Sequence, residues 1–252
     1  KVLSCERHGA GHINETYKFS VDNAGKIVNY ILQCVNTSLF KNMDELMANI
    51  SGVTEFMRKK IAQNGGNPDR ETLTVIKTKD GKDYFQDVDG KAYRVFLFIE
   101  DAVALQKADN PEQFRSSAKA FGKFANFLAE YPAETLYETI PLFLDTVNRY
   151  KNFMESVEVN YQNRAEIAKD DIKFATDRKD YAKRIVEKIK SGEIPLKVTH
   201  NDTKLNNVLF DKDAKNAIAV IDLDTVMPGS ILYDFGDAIR FGCNSGAEDE
   251  EY

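Results

Sequence analysis

Three oxygen-bearing side chains stand at spacings that suit one kind of chemistry. Asp202 lies in the segment Val198-Thr199-His200-Asn201-Asp202-Thr203-Lys204-Leu205-Asn206-Asn207-Val208-Leu209-Phe210-Asp211. Asn207 follows it five positions later, and Asp222 closes the apolar run Ala217-Ile218-Ala219-Val220-Ile221. Such a set suits transfer of the γ-phosphoryl group of ATP to a hydroxyl. ATP carries about four negative charges, so the reaction needs positioning and charge neutralisation more than covalent help. Mg²⁺ prefers oxygen ligands; Asn207 offers a neutral carbonyl and Asp222 a carboxylate. Asp202 would face the acceptor hydroxyl, orient it and take its proton late in the transfer. Lys204 could reach the γ-phosphate as a point charge. His200, two positions before the candidate base, is expected to brace the loop. Asp224 points to the same side of an extended strand as Asp222; it reads either as a second metal ligand or as a solvated carboxylate.

These residues need a particular local frame. Val208-Leu209-Phe210, the turn-rich Asp211-Lys212-Asp213-Ala214-Lys215-Asn216 and the run 217–221 read as a hairpin. It would return Asp222 to the side of Asn207. A second Asp, in Asp234-Phe235-Gly236, follows Pro228-Gly229-Ser230 rather than a buried strand. It lies too far from Asn207 for the short hairpin, and is expected to cap or brace a helix starting near Phe235.

Upstream, residues 2–8, 15–22 and 28–35 read as strands, separated by turns at Gly9-Ala10-Gly11 and Asn23-Ala24-Gly25. Asp44 is the expected N-cap of a helix to about Ala62, with Leu46, Met47, Ile50, Val53, Phe56, Met57 and Ile61 at helical spacing. Further strands are expected near 73–77, 84–88 and 92–99. Pro111 then opens a helix to about Tyr131, with Phe114, Ala118, Phe121, Phe124, Ala125 and Leu128 on one face, and helices near 145–160 and 178–191 follow. The shift from strands to helices puts a boundary near Asp101, between a nucleotide-binding part at 1–100 and a catalytic and acceptor-binding part at 101–252. Phe98-Ile99-Glu100 is then the candidate hinge beside adenine, or an ordinary strand end. Gly9 and Gly11 would let backbone N–H groups approach phosphates. His12 and Asn14, at the same tip, could reach phosphate or acceptor; His12 reads equally as an exposed turn histidine.

The motifs resemble the aminoglycoside phosphotransferase and choline kinase superfamily, the small-molecule branch of the kinase fold. His200-Asn201-Asp202 through Asn207-Val208-Leu209 is similar to its catalytic loop and Ile221-Asp222-Leu223-Asp224 to its metal strand. Tyr233-Asp234-Phe235-Gly236-Asp237 is similar to its downstream Asp motif, structural in that family. The resemblance implies an α+β, two-lobed protein-kinase-like fold: a small lobe of antiparallel sheet plus one helix, and a large, mainly helical lobe. It also implies ATP and Mg²⁺ as cofactors. Many kinases place a Lys on the third strand to pair with ATP phosphates. Tyr30-Ile31-Leu32-Gln33-Cys34 has none. Gln33 is the nearest polar candidate, and Glu55 its candidate helix partner or simply an exposed carboxylate.

The segments 9–17, 30–36 and 49–55 are most similar to N-acetylhexosamine 1-kinases, which implies a sugar acceptor phosphorylated at its anomeric hydroxyl. Choline, ethanolamine or aminoglycoside kinases are the rivals within the superfamily. A quaternary ammonium is often held by an aromatic cage; the chain has no Trp, though its 11 Tyr could substitute. A kinase-fold binding protein without catalysis is the third reading. The uncharged third strand favours it, and the presence of Asp202, Asn207 and Asp222 together opposes it.

A net charge of −6 argues against nonspecific nucleic-acid binding. No apolar run approaches the roughly 18 residues of a membrane span, and the start has no signal-peptide pattern. Cys5, Cys34 and Cys243 are odd in number and far apart, so buried thiols in a reducing cytoplasm are expected rather than a disulfide set. Residue 1 is not Met and the chain stops in a polar run, so further helices, and with them part of the acceptor site, are expected beyond residue 252. Nothing in the sequence sets an oligomeric state.

Overall fold

A computed structural model describes residues 1–9 and 13–244. The chain divides into two compact units: Lys1–Thr139 together with the chain from Lys197 onward, and Ile140–Leu196. The first unit carries every candidate functional residue named above.

Its leading half is strand-rich. β1 (Val2–Arg7), β2 (Glu15–Asn23) and β3 (Lys26–Val35) form an antiparallel meander. The β2–β3 turn is two residues long, Ala24 and Gly25, both at positive φ (53° and 88°). That is the geometry whose twist matches paired strands, and Asp22 Oδ1 accepts the Gly25 N–H at 2.7 Å. After α1 (Met43–Gln63) and the short α2 (Pro68–Glu71) come β4 (Val75–Ile76), β5 (Phe85–Gln86) and β6 (Ala92–Leu97). They complete a sheet of order β1-β2-β3-β6-β4, with β5 also paired to β6.

α1 lays Leu46, Met47, Ile50, Val53, Met57 and Ile61 into the core, each nearly sealed from solvent. Only Phe56 of the expected stripe stays half-buried. Its N-cap is Asn42, not Asp44: the Asn42 side chain accepts the Glu45 N–H, while Asp44 accepts a hydrogen bond from the Tyr84 hydroxyl. Asn49, buried in this helix, spends its whole amide on distant backbone. It donates to Tyr137 O and Val226 O and accepts from Tyr137 N.

β7 (Ala102–Ala104), unforeseen in the sequence, pairs with the later strand β9. α3 (Pro111–Phe127) ends four residues before the expected Tyr131. Its buried face is Gln113, Ser117, Phe121 and Phe124, continued by Leu128; Ala118 is exposed. The polar members are there because Gln113 bonds Asp109 N and Ala214 O.

The second unit is helical: α4 (Thr146–Val159), α5 (Arg164–Ile167), α6 (Lys169–Thr176), α7 (Lys179–Ala182) and α8 (Arg184–Lys190). The helix expected at 178–191 is thus two. Asp145 caps α4 by accepting Asn148 N.

The chain re-enters the first unit with β8 (Lys197–Thr199), β9 (Val208–Asp211), β10 (Ala217–Val220), β11 (Met227–Gly229) and α9 (Ile231–Gly242). β9 and β10 form the expected hairpin, and β8 pairs with β11. Asp211 closes the hairpin turn by accepting the backbone N–H groups of Lys215 and Asn216. α9 starts at Ile231, earlier than expected, because Ser230 caps it.

The thiols depart from expectation. Cys5 and Cys243 are exposed and Cys34 is half-buried, all three free; Cys5 lies on β1, a sheet-edge strand with every residue exposed. Among the described residues no helix is long and apolar enough to cross a membrane.

Candidate active site

The loop between β8 and β9 carries Asp202, and it is held from three directions. From below, His200 is fully buried between the rings of Phe121 and Phe124, each edge-on to it. Its Nδ1 faces the Asp202 N–H at 3.3 Å and its Nε2 lies 2.9 Å from Ile221 O. A backbone N–H can only donate and a carbonyl can only accept, so the ring carries its proton on Nε2. The expectation that His200 braces the loop is met in atomic detail.

From the side, Asp234 accepts the N–H groups of His200 (2.9 Å) and Asn201 (2.8 Å) with its two carboxylate oxygens. Thr203 adds two more ties: its hydroxyl donates to Asp234 O, and its N–H donates to Asp237 Oδ2 at 2.7 Å. Asp234 therefore braces the loop that carries Asp202 rather than capping α9. Burial pushes its carboxyl above the usual range, against the pull of His200 and the two backbone N–H groups. From the third side, Asn201 donates to Thr225 O and Thr225 donates to His200 O.

These ties hold an unfavourable backbone. Asn201 sits at φ 65° and Asp222 at φ 59°, in the left-handed region. Non-glycine residues there cost on the order of 1–3 kcal/mol and persist only where the surroundings over-determine them.

Asp202 and its neighbours meet in one place. Asn207 Nδ2 donates to both Asp202 O and Asp202 Oδ2, each at 2.9 Å. Lys204 Nζ stands 3.5 Å from Asp202 Oδ1. Because Asn207 uses its amide nitrogen for these bonds, its carbonyl oxygen is not spent on them. The Ile221 N–H donates to Asn207 O at 2.9 Å, which sets Asp222 beside Asn207.

The Asp222 residue is open to solvent, while its carboxyl group is crowded by protein. That combination marks a concave position. Its pKa is pushed up to about 6, first by lost hydration and then by the Asp224 charge, with Asp202 adding to the rise and Arg94 and His200 opposing it. A carboxylate so placed favours an added cation. Among the described residues no three His, Cys, Asp or Glu side chains converge as a preformed metal site. The donor set fits Mg²⁺, which takes one or two carboxylates and completes its shell with phosphate and water. Asn207 and Asp222 would hold the ion, and it would neutralise phosphate charge.

Asp224 is sealed in and engaged at both oxygens. Arg94 Nη2 lies 2.6 Å from Oδ1, and Asn14 Nδ2 donates to Oδ2 at 2.7 Å. The solvated alternative for Asp224 is thereby excluded. Gln33 also turns to Arg94, its Oε1 accepting from Nε and Nη2 at 3.0 and 2.8 Å, while its Nε2 donates to Thr16. Glu55 is exposed on α1, whereas the side chain of Gln33 bonds Arg94 and Thr16.

In the candidate hinge, Ile99 is buried, Glu100 accepts a side-chain bond from Asn29, and its backbone carbonyl accepts from Arg70. Phe98 is covered by Lys18, whose Nζ is 3.9 Å from the ring centroid. Gly9 takes φ 79°, which only Gly adopts freely. Gly11 and His12 lie outside the described residues. Sequence reasoning missed Arg94 and Thr203. Arg94 alone had a signal: strand alternation puts it on the same face as Ala92 and Phe96, where a charge needs a partner.

Residues 4–252 match the phosphotransferase enzyme family (APH). The chain belongs to that family. As a phosphotransferase it shares its fold with solved structures at low identity. One is the GDP complex of wild-type aminoglycoside 2'-phosphotransferase-IIIa, with 13% identity, 97% of this chain and 74% of that one covered, and a TM-score of 0.58. A second is Plasmodium vivax ethanolamine kinase, with 16% identity, 98% and 64% covered, and a TM-score of 0.52. A third is choline kinase from Cryptosporidium parvum Iowa II, with 13% identity, 94% and 61% covered, and a TM-score of 0.54. The protein is accordingly a phosphotransferase with the α+β, protein-kinase-like fold that its motifs implied.

Proposed function

We propose that this phosphotransferase uses ATP and Mg²⁺ to phosphorylate a hydroxyl of a small molecule, with Asp202 as the base. The observation that carries the reading is the convergence of Asp202, Lys204, Asn207 and Asp222 on one loop and hairpin. Asp202 orients the acceptor hydroxyl and accepts its proton as the bond to phosphorus forms. Lys204 neutralises charge on the transferred group. Gly9 and the hinge 98–100 contribute to the nucleotide side, which falls mainly in residues 1–100, and the catalytic loop serves residues 101–252.

For the acceptor we propose an N-acetylhexosamine, phosphorylated at its anomeric hydroxyl. This finer reading rests on the resemblance of segments 9–17, 30–36 and 49–55. Choline, ethanolamine and aminoglycosides are the rivals, since solved neighbours are named for them.

The test is ADP release over a panel of GlcNAc, GalNAc, choline, ethanolamine and an aminoglycoside, with wild type and Asp202→Ala. Wild type should turn over with an amino sugar, and the variant should lose at least about 10³-fold in kcat. Turnover on choline alone sinks the sugar reading; an Asp202→Ala enzyme as fast as wild type sinks the mechanism.

A further inference from the structure

We propose that Arg94, reaching across from β6, is the cation that receives the nucleotide's phosphates in place of a basic residue on β3, and that Asp224 holds it until the nucleotide arrives. This rests on the nucleotide-dependent function proposed above and names a residue for it.

The β3–β6 register sets Gln33 directly opposite Arg94. Directly paired residues point to the same face of a sheet. The guanidinium therefore lies against the third-strand position that carries no charge of its own. Gln33 fixes its orientation by accepting two of its N–H groups with one oxygen. What Arg94 does with the rest of its donors is unusual. It is only 2% exposed, yet Nη1 has no hydrogen-bond partner among the described residues. Its ion-pair partner is equally incomplete: Asp224 Oδ1 lies 2.6 Å from Nη2 but receives no aligned hydrogen bond. A buried N–H left unmade costs about 1–3 kcal/mol, and native structures rarely tolerate one without a use for it.

A phosphate oxygen is the acceptor that fits. Arginine presents parallel N–H groups that match phosphate in a forked geometry. Asp224 is two positions after Asp222, the candidate metal ligand, so Arg94 borders the place where metal-bound phosphates would sit. Asn14 ties the same carboxylate to the backbone N–H of Asn36 at the end of β3, which keeps Asp224 in place as Arg94 turns. A purely structural ion pair makes a different prediction: releasing Arg94 from Asp224 would leave ATP binding unchanged.

The experiment is calorimetric titration of ATP and adenosine in EDTA, so that no metal contributes. Wild type, Asp224→Asn and the pair Arg94→Gln/Asp224→Asn are compared. The double variant removes both charges together and leaves no unpaired one buried. Asp224→Asn should bind ATP about tenfold tighter than wild type, because Arg94 loses its competitor. The double variant should lose that gain, with adenosine affinity unchanged in all three. If the double variant does not unfold cooperatively, Arg94→Lys/Asp224→Asn replaces it. A single ammonium cannot make the forked contact, so ATP should bind roughly threefold or more weaker than to Asp224→Asn. Equal ATP affinity in Asp224→Asn and the charge-removed or Lys variant overturns the role of Arg94. A wild type that binds neither adenosine nor Mg²⁺-ATP overturns the proposed function instead.

Discussion

Replacing Asp234 with Ala tests the architecture of the loop more sharply than any change at the base itself. The substitution deletes two charge-assisted bonds, to the N–H groups of fully buried His200 and nearly buried Asn201. Each N–H left without an acceptor costs about 1–3 kcal/mol, roughly 2–6 in sum. Asp234 is itself half-buried, so water can enter from its open side and satisfy part of the deficit. That puts the expected loss in the lower half of the range, about 2–4 kcal/mol. For a chain of this size each kcal/mol lowers the melting temperature by about 2–4 °C, giving a fall of roughly 4–16 °C. Asp234→Asn keeps one acceptor oxygen and should show about half the effect. Differential scanning calorimetry reads both. The competing idea is that Asp234-Phe235-Gly236 acts as the metal motif its letters spell in protein kinases. Asp234→Asn would then spare the melting temperature and abolish Mg²⁺-dependent nucleotide binding. An Asp234→Ala protein melting within about 1 °C of wild type refutes the bracing account.

Other outcomes follow from the same geometry. His200→Phe preserves the packing between Phe121 and Phe124 but strips Ile221 O and Asp202 N of their partner. It should cost about 2 kcal/mol in urea unfolding and lower kcat, because the backbone of the base loses its anchor. The raised Asp222 pKa gives a pH dependence to the metal-free protein. The folded state holds this proton more tightly than the unfolded one, about 6 against 3.8, so stability falls as pH rises through that window and is flat above it. Asp222→Asn removes the effect. After allowance for solvent at this open position, the variant should gain about 1 kcal/mol over wild type at neutral pH and nothing near pH 4. Urea midpoints in EDTA at the two pH values measure it, and a pH-independent difference defeats it.

The candidate site was legible where chemistry is carried by local spacing. Asp202, Asn207 and Asp222 sit on one loop and one tight hairpin, so sequence separation translates almost directly into distance. The same holds for the β2–β3 hairpin, whose turn is set by positive-φ residues at Ala24 and Gly25. Features that depend on partners far along the chain were not legible. The Asn42 cap was hidden behind Asp44, a better-looking neighbour whose side chain is taken by Tyr84. The polar face of α3 defeats a search for apolar periodicity, because Gln113 answers to backbone a hundred positions away. Arg94 meets Gln33 only through the register of two strands far apart in sequence, and meets Asp224 only through the closing of the core. β7, three residues long, exists because β9 offers it an edge.

The first unit is discontinuous, and that has a consequence for how the protein is made. Its core cannot close until the ribosome has passed through the helical segment 140–196 and delivered residues 197–244. Arg94 emerges 130 residues before Asp224. At about 5–20 residues per second, its charge waits roughly 6–26 s for its counterion. Asn49 waits similarly for Val226. Over that interval the nascent sheet carries an unneutralised guanidinium on the face that will become interior. Folding of the segment 140–196, a compact unit of its own, can start first. The sealed Arg94–Asp224 contact therefore also marks the moment in synthesis when the strand-rich half of the molecule can become native.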